Sequence, residues 1–241
     1  MNSAGAYAVN LHLMGIPVTV TIDDYLPFWK GSTGLVYAQA GPDGALWMPI
    51  LEKAAAKMYG NYEVMVAGWM GPAISMLTGS PFFDINHVEK SVDDLWDYID
   101  ERLKMKYMVT CGSKVGTGSD QDQNAIGVPY RHAFTVPATL KLNDGTKLIQ
   151  VRNPWGKETF KGDWSDSSEK WTEAIKNEVG DKYKTKDDGL WWISAKDYHE
   201  SFSKTTINPN IVDYHQTYFA LFDVGRDEDH TDMLSLKSDV D

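Results

Sequence analysis

The sequence predicts an α+β fold: a twisted antiparallel β-sheet with flanking helices. Three observations carry that expectation. Two strand-like runs, HAFTVPATLKL and TKLIQVRN, are joined by Asn143-Asp144-Gly145, a strong hairpin turn. Other stretches space their apolar residues at helical intervals instead of alternating them. Nine Trp and twelve Tyr are many for 241 residues and require a large, β-rich core.

In chain order, IPVTVTIDD alternates and reads as a strand with Val18, Val20 and Ile22 on one face, stopped by Asp23-Asp24 and Pro27. Trp47, Ile50, Leu51, Ala54 and Met58 recur at helical spacing, with Gly60 placed as a C-terminal cap. A second helix starts at Ser91, with Asp94 three residues on and Val92, Leu95, Ile99 and Leu103 as its buried stripe. KYMVT is a short strand, and Gly112 to Pro129, rich in Gly, Ser, Asp and Gln, reads as a long exposed loop. The hairpin follows, then a loop dense in Trp and Asp and a short helix around Thr172 to Val179. LWWI is a buried strand, Ser194 caps the helix AKDYHESF, and HQTYFALFDV reads as a last strand. No internal repeat is visible.

The bulk numbers exclude several classes. With 42% hydrophobic residues the chain suits one large domain or one and a half small ones. A net charge of −11 is a poor match for nucleic acid or anionic lipid, so neither is expected as a partner. The acidic stretch DVGRDEDHTD reads as a solvated tail. Cys111 is the only cysteine, so no disulfide forms within the chain. No apolar run is long enough to span a bilayer, and the first fifteen residues do not read as a signal peptide. A cytoplasmic setting is the expectation.

The chemistry concentrates on the hairpin. His132 stands at the mouth of one strand and Asn153 ends its partner, so the fold brings them near each other. An imidazole beside a side-chain amide can work as the oriented base of a cysteine protease: the amide oxygen fixes one ring nitrogen, and the other takes a thiol proton. Trp155 follows in NPWG, and its ring could cover that hydrogen bond. Taken alone, the bland reading of a strand-start His and a turn-forming Asn remains open.

The run RHAFTVPATL…DGTKLIQVRNPWGKETFKGDWSDSSEKW resembles the His- and Asn-bearing segment of calpains. DGLWWIS, VTIDDYLP and LWMPILEKAAAKMYGNYE resemble further elements of that family in the same order, over most of residues 16–203. The resemblance implies the second lobe of a papain-like core. It implies His132 as general base, Asn153 as its orienter and Trp155 as the indole beside the substrate cleft. It departs at Arg131, where the family usually has Gly, and a bulky cation there could narrow the cleft. The family's nucleophile lies in a Gln-x-x-Leu-Gly-Asp-Cys-Trp segment that these residues do not contain. Cys111 follows a strand instead of opening a helix, a setting that does not activate a thiol.

Calpain cores also bind calcium in this lobe. Asp166 and Asp188 match two of the acidic positions, Thr159 and Leu190 replace others, and Glu158 and Asp187 are shifted by one residue, which in a strand turns a side chain away. No cofactor is therefore required, and calcium is possible only at an eroded site. The expected organisation is a lead-in over 1–15, the protease lobe over 16–205, and over 206–241 a C-terminal strand with an acidic tail, the start of a truncated β-sandwich. The expected function is a partial calpain-like intracellular cysteine endopeptidase core, inactive alone. It would act on protein or peptide substrates together with a cysteine-bearing lobe. The alternative is a pseudoprotease, a structural or peptide-binding subunit of a larger assembly.

Overall fold

The computed structural model describes residues 4–116, 119 and 121–210. The read strand HQTYFALFDV and the acidic tail lie outside the described residues.

Strands β1 (Ala6–Leu13) and β2 (Ile16–Asp23) pair antiparallel along their whole length. Met14 and Gly15 make the turn with φ of 52° and 83°, the left-handed pair that a tight hairpin needs. The lead-in residues thus include a strand the sequence reading did not place. Helix α1 (Trp47–Tyr59) lays Ile50 and Ala54 on Leu11, Val20 and Ile22, and Gly60 ends it. Trp47 is exposed and does not belong to the buried stripe. Helix α2 (Met70–Thr78), also unforeseen, adds Met76 to this cluster.

The main sheet has six strands: β3 (Phe83–Asn86), β4 (Met108–Ser113), β5 (Ala133–Lys141), β6 (Lys147–Arg152), β7 (Leu190–Ser194) and β8 (Phe202–Asn208). Their order is β3-β8-β4-β5-β6-β7, and every neighbouring pair is antiparallel, as expected. Successive residues go to opposite faces. Ile149, Val151, Trp191 and Ile193 join helices α3 (Val92–Lys104) and α5 (Ala195–Ser201) in the larger core. Leu148 and Trp192 meet Trp164, Trp171 and helix α4 (Glu173–Val179) in the smaller one.

Local sequence sets the element ends. The Ser91 and Ser194 hydroxyls accept from the Asp94 and Asp197 amides, and Thr172 accepts from Ile175. Each such cap contributes about 1 kcal/mol. The stretch from Gly112 to Pro129 is less loop-like than read. β4 runs on to Ser113, and the Asn124 side chain accepts from the Ile126 and Val128 amides at 3.1 and 2.9 Å, which buries Val128. Among the described residues, no helix is long and apolar enough to cross a membrane.

Candidate active site

His132 lies where the loop meets β5, and β4 clamps its backbone. The His132 amide donates to Ser113 Oγ at 3.0 Å, and its carbonyl accepts from the Ser113 amide at 3.0 Å. Asn153 follows β6, held by its amide donating to the Gly189 carbonyl at 2.8 Å. Gly189 must be glycine. Its φ is 81°, and a Cβ there would sit 2.6 Å from the Asn153 carbonyl oxygen.

The two side chains meet. His132 Nε2 lies 2.9 Å from Asn153 Oδ1, which also accepts from the Trp155 amide at 3.1 Å. An oxygen facing a backbone N–H fixes which way the amide points, so the oxygen is also turned to the ring. The Nε2–H then donates, and Nδ1 carries the free lone pair. Asn153 is fully buried. The Trp155 ring lies 4.3 Å from the imidazole at 38°, tilted over it and part-exposed, while Phe134 meets the imidazole edge-on at 4.8 Å. Ser113, Phe134 and Gly189 escaped the sequence reading because each acts by packing or by contacts with the backbone. Beside the base, Ala133 helps line an apolar cavity of about 510 Å³ with Met65, Gly68, Trp69, Met70 and Met76.

Cys111 is elsewhere. It lies within β4, not after it, opposite Phe134 and Thr205, and is fully buried in the larger core. Burial pushes its thiol far up, against a smaller opposing effect of the Tyr198 hydroxyl. Nearby, burial and His199 push the His87 imidazole down to about 4.

The acidic residues behave differently from the expectation. Glu158 lies in a loop where the period of two does not apply, and its carboxylate accepts from the Asp166 amide at 3.1 Å. Asp187 Oδ1 accepts from the Glu158 amide at 2.9 Å, and Asp188 Oδ1 from the Leu190 amide at 3.1 Å. Burial, with Asp166 and Asp187 adding, pushes Glu158 up to about 7. Burial, with Asp188 and Asp187 adding, pushes Asp166 up to about 6. Yet among the described residues no three acidic, His or Cys side chains converge closely enough to hold a metal ion.

Comparison with known proteins agrees with the hairpin motifs. Residues 1–208 match the calpain family cysteine protease profile. Calpain-type cysteine protease ADL1 of Oryza sativa subsp. japonica is 31% identical over 208 residues, covering 83% of this chain and 9% of its own length. Calpain-13 of Rattus norvegicus is 30% identical over 203 residues, covering 83% of this chain and 30% of its own length. The Calpain-1 catalytic subunit of Mus musculus is 30% identical over 210 residues, covering 85% and 29%. The chain therefore spans less than a third of each of these relatives, and it belongs to the calpain family of cysteine proteases.

Proposed function

We propose that these residues form the base-bearing lobe of an intracellular cysteine endopeptidase acting on protein or peptide substrates. The observation that carries this reading is the His132–Asn153 hydrogen bond, which leaves Nδ1 free to take a proton. The nucleophile is a cysteine outside the 241 residues, on the same or another polypeptide; Cys111 is fully buried and its thiol is held protonated. In that arrangement His132 Nδ1 accepts the thiol proton, the thiolate attacks the scissile carbonyl, and the imidazolium returns the proton to the leaving amine. Asn153 holds the ring and its tautomer, and Trp155 keeps water from the Nε2–H bond. The apolar cavity beside Ala133 offers room for a substrate side chain. No observation favours the scaffold alternative.

The chain alone is expected to hydrolyse no peptide bond. Incubated with unfolded protein and an epoxide thiol probe, it should show neither cleavage nor labelling. Adding a cysteine-bearing calpain lobe should restore cleavage. Cleavage by the chain alone that Cys111→Ala abolishes would overturn the assignment of roles.

We also propose that calcium binds this lobe weakly, because Asp166 and Asp188 are not joined by enough converging oxygens. Calorimetry at neutral pH should give a dissociation constant well above micromolar, and micromolar binding would show that the acidic loops close around the ion. A reducing, cytoplasmic setting suits thiolate chemistry.

A further inference from the structure

Among the described residues, four non-glycine residues have positive φ: Met14, Lys106, Arg131 and Trp164. Three have local explanations. Met14 makes the β1–β2 turn, Lys106 follows the end of α3, and Trp164 is buried in the smaller core. Arg131 is different. Its φ is 50°, a conformation glycine adopts without strain, yet its side chain is exposed. The backbone there is fixed on both sides: the Arg131 amide donates to the Lys114 carbonyl at 3.1 Å, and His132 is clamped to Ser113. A side chain kept at a strained position directly beside a candidate base points to a role for that side chain.

The guanidinium is available. It donates one 3.3 Å hydrogen bond, from one terminal nitrogen to the Gly116 carbonyl, and among the described residues no carboxylate pairs with it. Lys114, bonded to it through the backbone, is also exposed and outside those ion pairs. Arg131 and Lys114 thus adjoin the backbone clamp of His132, and among the described residues neither has an ion pair. On the other side of His132 in sequence, Ala133 faces the apolar cavity.

We propose that Arg131 is a specificity-determining residue that selects an acidic side chain in the peptide beside the scissile bond. The inference rests on the reading of His132 as the proton acceptor. A guanidinium presents a planar fork of N–H donors that matches a carboxylate, and the bond to Gly116 leaves the other terminal nitrogen free. Being exposed, the pair gives a modest preference, about fivefold, that weakens with salt.

The test uses peptides identical but for Glu or Gln at one of the two positions flanking the cleaved bond. Two quantities are compared for wild type, Arg131→Lys, Arg131→Gln and Arg131→Gly. The first is the Glu-to-Gln ratio of kcat/KM with the cysteine-bearing lobe added. The second is the Glu-to-Gln ratio of affinity of labelled peptides for the full chain, read by anisotropy. At one flanking position wild type should favour Glu about fivefold in both. Lys should retain part of the preference, Gln and Gly should bring the ratio near one, and 0.5 M salt should do the same. Ratios unchanged by Arg131→Gln, or no Glu preference in wild type, would overturn the proposal. If no peptide is cleaved, the base assignment fails, and the affinity ratio still decides the role of Arg131.

Discussion

In the assembled enzyme, His132→Ala is expected to lower peptide hydrolysis by about 10⁴-fold, the upper range for loss of a general acid–base group. The effect should fall on kcat, because the imidazole acts on the thiol proton and the leaving amine and contributes little to ground-state binding. Asn153→Ala should cost about a hundredfold. The imidazole remains, but its Nε2–H loses the oxygen at 2.9 Å and the ring can turn away from the thiol. A second readout separates catalysis from misfolding. Alkylation of the nucleophilic thiol should proceed in mild acid when His132 is present, and only near pH 8.5, where an ordinary thiol ionises, when it is Ala. Hydrolysis within tenfold of wild type in His132→Ala would remove the imidazole from the reaction.

The parts of this site that were legible in sequence share one property: they sit on regular pairing. The hairpin follows from Asn143-Asp144-Gly145 and two flanking runs, and once it forms, His132 and Asn153 must lie at adjacent strand ends. Ser91 and Ser194 announced their helices because an N-cap hydroxyl has a specific amide to accept from. What was not legible depends on distant partners. Strand β1 does alternate, with Tyr7, Val9 and Leu11 turned to one face, but its small and polar neighbours gave it no strong strand signature until β2 lay beside it. Helix α2 carries Gly71 and Pro72 near its start, which obscured it, and Gly71 is needed because a Cβ there would strike the Phe82 ring. Glu158 lies in a loop, where the alternation of a strand does not hold and a hydrogen bond from the Asp166 amide sets the direction of its side chain. Strand β8 is rich in Ser, Thr and Asn, and its burial comes from Cys111 and Ile85 on neighbouring strands, which no local pattern reveals.

Phe134→Ala should strike both fold and site. Phe134 is 1% exposed and lies two residues beyond the base. Its ring meets Trp191 at 5.8 Å and Phe202 at 5.3 Å, both edge-on, and stands edge-on to His132 at 4.8 Å. Its strand pairs it with Cys111, at the centre of the larger core. Removing the ring leaves a cavity among groups held by the sheet, which cannot collapse freely, and should cost about 3–5 kcal/mol. Against a typical stability of about 5–15 kcal/mol, that is a large share. Phe134→Leu keeps most of the apolar volume but not the aromatic edges, so its loss should be nearer about 1.5 kcal/mol. Denaturant titration of the chain measures both. The leucine variant isolates the effect on the site, because the fold survives while the imidazole loses one of its two aromatic neighbours. Its Nε2–H resonance should broaden through faster exchange with water. A Phe134→Ala midpoint equal to that of wild type would mean that the packing around Trp191 does not depend on this ring, and the proposed coupling between core and base would fall with it.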